Sequence, residues 1–343
     1  PNRPKRRRRQ RRRLLGSLSR CLPPMGVVAR ADNFAMDFSP TDTAFMQQAL
    51  AEAEASMHIT TPNPRVGCVI VSPDGRLLGQ GHTQAAGQAH AEIMALRQAQ
   101  QTHDVRGATA YVTLEPCAHQ GRTGPCCDAL IQAGIARVVV SVIDPNPLVA
   151  GQGIARMQAA GVKVELGLLG DQAQDLNLGF FKRMTQGTPW MRLKVAQSLD
   201  GHTALTNGVS QWLTGALARA DGHAWRARAC AILTGMGTVR QDNPLLNVRD
   251  VNTPRQPDLW VIDSRLETPL DAALWSVPRR LFLVHAERNA EREAALRHQG
   301  ATLLALPNPQ GKVDLPALVA QLGQAPYNEV HIEAGEKLNG SLL

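Results

Sequence analysis

The sequence has no long hydrophobic run: no stretch of 18 apolar residues is free of charge. A transmembrane helix needs about 20 consecutive, mostly apolar residues, so a membrane span is not expected. A secretory signal is not expected either, because Arg20, Pro23 and Pro24 interrupt any apolar segment near the N-terminus. The sequence also lacks internal repeats, which argues against a repeat architecture.

Cysteine is sparse, with six in 343 residues. Three of the six, Cys117, Cys126 and Cys127, fall within eleven residues. In a chain of this size without a secretory signal, such a cluster indicates a metal or catalytic site rather than disulfide bonds.

An excess of positive charge is missing from most of the chain. The net charge is +8, but residues 1–13 alone hold Lys5 and eight arginines with no acidic residue. The remaining residues carry 28 basic and 29 acidic side chains, a balance of −1. The body of the protein therefore lacks the surplus that neutralises nucleic-acid phosphates, and nucleic acid is not an expected partner.

Residues 1–35 form a basic tail that we expect to be disordered or not native. Three interpretations are open: an arm that binds nucleic acid or an anionic membrane, an Arg-rich organellar transit peptide, or a non-native segment. The third rests on the missing initiator Met and on Met36, which stands just ahead of the first patterned segment. The expected location is the bacterial cytoplasm, or an organelle if the tail is a native transit segment.

The length of the chain indicates two domains. Short apolar runs alternate with segments of helical period, which predicts α/β sheets with helices on their faces. Because this pattern weakens between residues 169 and 188, we expect one domain over residues 36–186 and a second over residues 187–343. The first helix is predicted over residues 43–57, with Thr41 or Asp42 as its N-cap.

The first half contains a spacing typical of zinc-dependent deamination. H-A-E at residues 90–92 is followed about 25 residues later by E-P-C at residues 115–117, and then by Cys126. His90, Cys117 and Cys126 offer three zinc ligands and leave a fourth position for water. Glu92 can carry the proton from water to the departing amine. Cys126 is predicted at a helix N-terminus, where the helix dipole favours a thiolate.

A purely structural zinc site is the alternative. Cys117, His119, Cys126 and Cys127 could form such a site, but it would leave Glu92 without a role. Two adjacent residues rarely point at one ion, so we expect Cys127 to be a buried helix residue.

Four segments of the first half resemble the deaminase half of the bifunctional riboflavin-biosynthesis deaminase–reductase family. Most cytidine-deaminase relatives space their cysteines P-C-x-x-C, whereas eight residues separate Cys117 from Cys126 here, as in the riboflavin branch. One departure is Gly124-Pro125, where the family usually has Pro-Pro. The segments are T-P-N-P-R-V-G-C-V-I-V (residues 61–71), H-A-E (90–92), T-L-E-P-C-A-H-Q-G-R-T-G-P-C-C (113–127) and D-P-N-P (144–147).

The resemblance implies a cytidine-deaminase-like three-layer α/β domain that deaminates a phosphoribosylated diaminopyrimidine. It makes His90, Cys117 and Cys126 the ligands of one zinc ion and Glu92 the proton shuttle. In the inserted loop, Arg122 is a candidate for the substrate phosphate or a solvated loop residue. Asn63 either hydrogen-bonds the base or sugar or holds a turn.

The second half resembles the reductase half of the same family, which implies a dihydrofolate-reductase-like α/β domain that uses NADPH. From the residues alone the signal is weaker: Gly235 and Gly237 permit close approach to a phosphate, but the full G-x-G-x-x-G is absent. Lys194 and Asp200 are further candidates near the reacting sugar. The implied cofactor contacts are Ala196, Trp212, Thr238, Asp242, Ser264 and Gly335, and the implied substrate contacts are Ser210, Arg226, Leu246, Arg249 and Glu333.

The resemblance extends from about Asp42 to Leu343, where family members continue for several further elements, so we expect the reductase half to be C-terminally incomplete. The predicted function is hydrolytic deamination followed by NADPH-dependent reduction of the ribosyl to a ribityl side chain. Two other interpretations are open: a deaminase of another nucleobase with an inactive second domain, and a nucleic-acid-binding protein with a structural zinc. A homo-oligomer is compatible with the sequence.

Overall fold

The computed structural model describes residues 37–119, 124–147, 149–207, 209–210 and 212–343. The predicted basic tail, residues 1–35, lies outside these ranges. Residues 38–343 form one compact unit that contains two β-sheets. Within the described ranges, every helix is too short or too polar to cross a membrane.

The first half of the unit is a five-stranded sheet with its helices. It is followed by two helices that lead into the second half. The elements are α1 (Pro40–Ala55), β1 (Gly67–Val71), β2 (Leu77–His82), α2 (Ala91–Ala99), β3 (Thr109–Val112), α3 (Cys126–Gln132), β4 (Arg137–Val140), α4 (Gln152–Ala159), β5 (Lys163–Leu166), α5 (Gly170–Leu176) and α6 (Leu178–Gln186).

Helices cover both faces of this sheet, which has the strand order β2-β1-β3-β4-β5. Successive side chains of a strand point to opposite faces. Val69 therefore packs with Met46 of α1 on one face, while Ile70 packs with residues of α2 and α3 on the other. Strand β1 runs antiparallel to β2 and β3, and β3, β4 and β5 are parallel. The predicted three-layer α/β arrangement is confirmed.

The predicted N-cap of the first helix at Thr41 or Asp42 is wrong. Ser39 caps α1, and Pro40 occupies its first turn. Asp42 lies at the third helical position and completes a capping box, because its carboxylate accepts hydrogen bonds from the Ser39 backbone at 3.0 Å and side chain at 2.8 Å. The same carboxylate also accepts from Tyr111 at 2.7 Å, so Asp42 fixes α1 against the sheet.

The second half is a six-stranded sheet in the order β10-β9-β8-β7-β11-β6, with every strand parallel to its neighbours. Its four inner strands are largely buried, as is typical of a parallel sheet covered on both faces. Its elements are β6 (Trp190–Lys194), α7 (Ala216–Arg228), β7 (Ala231–Gly235), α8 (Met236–Asp242), β8 (Asp258–Ile262), a 3₁₀ turn (Ala273–Ser276), β9 (Leu281–His285), α9 (Ala290–His298), β10 (Ala301–Ala305), α10 (Leu315–Gln324), β11 (Glu329–Glu333) and α11 (Glu336–Leu342).

Buried polar groups join the two halves. Arg65, just ahead of β1, donates to the Glu329 carboxylate at the start of β11 over 2.6 Å. Arg255 of the second half donates to the His58 carbonyl at 2.9 Å. Asn328 donates to the Pro62 carbonyl at 3.1 Å. The loop that precedes β1 is therefore held by residues of the second half.

Candidate functional site

Three predicted zinc ligands meet at the carboxyl end of β3. His90 is the N-cap of α2 and makes no side-chain capping bond, so its ring is free to face the cysteines. Its Nδ1 atom lies 3.3 Å from Cys126 Sγ and 3.7 Å from Cys117 Sγ. Cys126 is the first residue of α3. Among the described residues, these are the three that come together as a possible metal cluster.

The spacing of these atoms fits a zinc ion. Tetrahedral zinc with Zn–S of about 2.3 Å and Zn–N of about 2.0 Å places neighbouring ligand atoms roughly 3.5–3.8 Å apart. The observed separations of 3.3 and 3.7 Å lie near that range. Two thiols and an imidazole also form a donor set that binds zinc in preference to magnesium or calcium.

The N-terminus of α3, which begins at Cys126, also acts on Cys117. That it favours a thiolate at Cys126 stays a prediction. The Cys126 thiol donates to Cys117, and this hydrogen bond lowers the pKa of Cys117 and raises that of Cys126. The backbone N–H at the start of α3 also points to Cys117 Sγ, at 3.4 Å. The N-terminus of α3 therefore stabilises the negative charge on the cysteine of the preceding loop.

Glu92 lies beside the three ligands without being one of them. It is buried in the first turn of α2. Burial and the neighbouring Cys117 raise the pKa of its carboxyl group to about 7. It lines the same cavity as His90 and Cys117. The carboxyl group is thus placed to exchange a proton with a ligand in that cavity.

The structural-zinc alternative is not supported. Cys127 is fully buried and packs in the hydrophobic core between the sheet and its helices. Burial raises the pKa of its thiol to about 11. His119 lines the cavity instead of joining the three ligands. Cys127 is a core residue, as the sequence predicted.

A cavity of about 550 Å³ opens beside the zinc ligands. Asn63 and His119 line it, and both were candidates from the sequence. Arg122, the third candidate, lies outside the described residues. The sequence did not single out the residues that α6 and the second half add to the wall, namely Phe180, Arg183, Met184 and Pro326.

Glu115 is a further residue that the sequence analysis did not interpret. Its buried carboxylate accepts backbone hydrogen bonds from Gly151 at 2.8 Å and from Gly153 at 2.9 Å, at the N-terminus of α4, and also from Asp144 at 3.3 Å. An acidic residue directly after a buried strand was the available signal. By anchoring the chain two residues before Cys117, Glu115 holds the first cysteine ligand in position.

The predicted reductase residues lie mainly where the parallel strands of the second sheet end. Lys194 ends β6, Ser264 follows β8, and Glu333 ends β11. Thr238 and Asp242 lie on α8, which begins directly after β7. Gly335 is the N-cap of α11. The carboxyl edge of an open parallel sheet is where ligands of such folds bind.

Two predicted substrate residues are paired with each other. The Arg226 guanidinium on α7 donates to the Glu333 carboxylate through two hydrogen bonds, one of them 2.8 Å long from Nη2 to Oε2. Arg226 also donates to the Asn247 carbonyl at 3.1 Å. Arg249 donates to the Asn247 side chain at 2.7 Å. Both arginines therefore lie around one loop.

Other predicted reductase contacts have differing surroundings. Leu246 is buried in the core, and its carbonyl accepts a hydrogen bond from Arg279. Trp212 is 70% exposed and stacks with the Arg219 guanidinium. Ala196, Asp200 and Ser210 lie in the same irregular segment between β6 and α7.

Two family models match the chain. One is described as the cytidine and deoxycytidylate deaminase zinc-binding region and matches residues 39–142. The other is described as the RibD C-terminal domain and matches residues 189–343. Both predicted fold classes, deaminase-like first and reductase-like second, are confirmed.

Similar proteins extend over most of the chain. The riboflavin biosynthesis protein RibD of Escherichia coli (strain K12) is 46% identical over 315 residues, which cover 88% of this chain and 84% of that protein. RibD of Aquifex aeolicus (strain VF5) is 39% identical over 302 residues, covering 88% of this chain and 83% of that protein.

Two solved structures are also similar. The Acinetobacter baumannii RibD structure has a TM-score of 0.78 and 43% identity, covering 88% of this chain and 83% of that one. The deaminase/reductase from Thermotoga maritima has a TM-score of 0.76 and 31% identity, covering 87% of this chain and 82% of that one.

Proposed function

The chain belongs to the RibD family of bifunctional riboflavin-biosynthesis enzymes, and on that premise we propose which residues carry each of its two reactions. As a member of this family it is a zinc-dependent deaminase and an NADPH-dependent reductase. The first reaction converts diaminohydroxyphosphoribosylaminopyrimidine to 5-amino-6-(5-phosphoribosylamino)uracil, consuming water and releasing ammonia. The second reduces the ribosyl group of that product to a ribityl group.

His90, Cys117 and Cys126 are the proposed zinc ligands. Zinc bound there supplies a Lewis acid that makes water a stronger acid and a better nucleophile. Glu92 takes the proton from the attacking water and delivers it to the departing amino group, because it is buried in the same cavity and its raised pKa suits both steps. Asn63, on the cavity wall, is proposed to hydrogen-bond the base or sugar.

The second site is proposed at the carboxyl edge of the parallel sheet. NADPH supplies the hydride for the sugar carbon. Arg226 and Arg249 are proposed to bind the substrate phosphate, since guanidinium groups bind phosphate bidentately, and Glu333 holds Arg226 through paired hydrogen bonds. The other proposed substrate contacts are Ser210 and Leu246, and the proposed cofactor contacts are Ala196, Trp212, Thr238, Asp242, Ser264 and Gly335.

The proposed domain boundary lies between residues 186 and 187. Helix α6 ends at Gln186, and Gly187 closes it in a left-handed conformation with φ of 70°. The deaminase domain would then comprise residues 36–186 and the reductase domain residues 187–343.

We further propose that the enzyme works in the bacterial cytoplasm, that it does not bind nucleic acid, and that it is able to form homo-oligomers. The charge balance of −1 outside residues 1–13 supports the proposal that the enzyme does not bind nucleic acid.

The observation that carries the deaminase assignment is the meeting of His90, Cys117 and Cys126 beside a cavity that Glu92 also lines. The test is mass spectrometry of the products after the purified chain is incubated with the diaminopyrimidine substrate and NADPH. A product that is deaminated and reduced supports both proposed sites. A product that is deaminated but not reduced supports the zinc site alone. Unchanged substrate with one zinc per chain would overturn the substrate assignment.

Glu92→Gln isolates the proton-transfer role. Because Glu92 is not a metal ligand, the variant should keep its zinc, while loss of a positioned acid–base group should slow deamination by about 10²–10⁴-fold. Zinc analysis and ammonia release measure the two effects, with Glu54→Gln on the exposed side of α1 as the control. A Glu92→Gln variant that deaminates at the normal rate contradicts the assignment.

A further inference from the structure

Arg183 is a guanidinium on the wall of the deaminase cavity to which the mechanism assigns no role. It lies on α6, after the first sheet, and lines the same cavity as His90 and Glu92. Of the described residues that line this cavity, Arg183 is the one with a permanent positive charge.

The Arg183 guanidinium is positioned by neutral groups. Its Nε donates to the Asn328 side-chain oxygen at 2.7 Å, and its Nη2 donates to the Pro62 carbonyl at 3.1 Å. Its Nη1 atom has no hydrogen-bond partner among residues that the structure describes, and no carboxylate of those residues forms an ion pair with it. Arg183 is half-buried, and this burial lowers the pKa of its guanidinium.

The carboxylates of the cavity are engaged elsewhere. Glu115 accepts backbone hydrogen bonds at the N-terminus of α4. Asp144 accepts a backbone hydrogen bond from Asn146 at 2.8 Å, and burial raises its pKa to about 6. Glu92 is the proposed proton carrier. The cavity wall therefore holds a fixed cation that no anion of the described protein neutralises.

A half-buried guanidinium without a counterion carries an unrecovered desolvation cost. Such groups are typical of sites where a ligand brings the missing anion. A charged guanidinium with a free Nη1 offers donors suited to phosphate oxygens.

We propose that Arg183 binds the phosphate of the phosphoribosyl group while the pyrimidine ring lies against His90 and Glu92. The inference rests on the proposed deaminase function and adds to it how the phosphorylated substrate is selected. Since Asn328 orients Arg183, the second half of the chain contributes to substrate selection in the first.

The competing explanation is that Arg183 only ties α6 to Pro62 and Asn328. Two variants separate these roles. Arg183→Gln removes the cation, whereas Asn328→Ala removes the tie and keeps the cation. Lys182→Gln removes a neighbouring charge on the same helix that contacts the Trp190 ring and serves as the matched control.

The measurement is kcat and KM for deamination by the full chain loaded with zinc, with the phosphorylated substrate and its dephosphorylated form. For Arg183→Gln we expect kcat/KM for the phosphorylated substrate to fall about 10–100-fold, mainly through KM, as loss of a charge-assisted hydrogen bond predicts. The dephosphorylated form should react nearly as with the unsubstituted chain. Asn328→Ala should lower kcat/KM for the phosphorylated substrate less than Arg183→Gln does, because the cation remains, and Lys182→Gln should change kcat/KM for neither substrate.

An equal loss of kcat/KM for both substrates in Arg183→Gln would overturn the inference. It would also be overturned if the unsubstituted chain had the same kcat/KM for the phosphorylated and the dephosphorylated form. If the unsubstituted chain deaminates neither, the proposed function itself fails. If Arg183→Gln does not fold, Arg183→Lys replaces it in the test. The measurement is then the inhibition of deamination by ribose 5-phosphate, compared with the inhibition by ribose. Ribose 5-phosphate should then inhibit the unsubstituted chain more strongly than the lysine variant, and equal inhibition of the two contradicts the proposal.

Discussion

His331 is a buried imidazole on β11 whose two ring nitrogens have no hydrogen-bond partner among the described residues. Its Nε2 atom lies 3.7 Å from Glu333 Oε1. Burial lowers the pKa of His331 to about 4. Glu333 acts to raise this pKa, whereas the positive charges of Arg226, Arg192 and Lys194 lower it further. The folded protein therefore holds this side chain neutral.

The stability of the protein should fall as the pH drops from about 6.5 towards 4. The unfolded chain binds a proton at His331 near the ordinary pKa of about 6.5, whereas the folded chain resists it, so protonation favours unfolding. The full effect is at most roughly 3 kcal/mol. Denaturant unfolding of His331→Leu should show a weaker pH dependence over this range.

His298→Gln, at an exposed histidine of α9, is the control and should keep the pH dependence of the unsubstituted chain. If the pH profile of His331→Leu matches that of the unsubstituted chain, His331 is not the titrating group.

Helix α4 packs directly on the loop that carries the first cysteine ligand. A Cβ atom on Gly153 would lie 1.9 Å from the Pro116 carbonyl oxygen, far inside contact distance. Glycine is therefore required here by the close approach of α4, whose N-terminus also binds Glu115.

Gly153→Ala should displace Pro116 and with it Cys117. We expect a loss of about 1–3 kcal/mol in the free energy of unfolding, as overpacking predicts, together with a lower zinc content. Metal analysis and thermal unfolding measure the two effects. Gly124→Ala is the control, since a Cβ there meets nothing within 4 Å. Full zinc occupancy and unchanged stability in Gly153→Ala would show that the loop accommodates the added methyl group.

At the scale of elements, the meeting of His90, Cys117 and Cys126 could be predicted from the sequence because the information is local. His90 is the N-cap of α2, Glu92 and Cys126 lie in the first turns of α2 and α3, and a short motif specifies them. The roles of Glu115 and Arg183 depend on contacts with parts of the chain that are distant in sequence. Glu115 binds the backbone at the start of α4, and Arg183 lines the deaminase cavity. Residue spacing does not encode those contacts.

At the N-cap of α1 the sequence held a signal that ranks the candidates. Ser39, Thr41 and Asp42 are all residue types that cap helices, but proline favours the first helical position, so Pro40 points to Ser39. In the structure Pro40 lies in the first turn, and the Asp42 carboxylate accepts a hydrogen bond from the Ser39 backbone N–H. Both features identify Ser39 as the N-cap.

At the scale of the whole molecule, Glu329 links the two sheets. Its carboxylate is buried and accepts hydrogen bonds from Arg65 at 2.6 Å, Arg228 at 2.7 Å and Arg192 at 3.2 Å. Although burial acts to raise it, the pKa of Glu329 is held well below its ordinary value by Arg65 and Arg228. Arg65 belongs to the first half of the chain and is itself buried.

Glu329→Gln should destabilise the whole unit. It leaves the buried Arg65 guanidinium without its counterion, which costs about 3–5 kcal/mol. Denaturant unfolding, followed by probes in both halves, measures the loss. Glu267→Gln removes a more exposed carboxylate that pairs with Arg240 and Arg265, and such pairs contribute at most about 1 kcal/mol. Equal, small losses in the free energy of unfolding of both variants would contradict a stabilising role for the contacts of Glu329 between the two halves.

The cavity wall formed by Pro326, and the contacts that Asn328 makes with Arg183 and Pro62, have a consequence for how such genes evolve. A chimaera that joins the first half of one homologue to the second half of another would exchange part of the deaminase cavity along with the reductase. Positions 183 and 328, whose side chains are hydrogen-bonded to each other, should therefore vary together in descent. A gene fission between the sheets would succeed only where the separated proteins reassemble this wall.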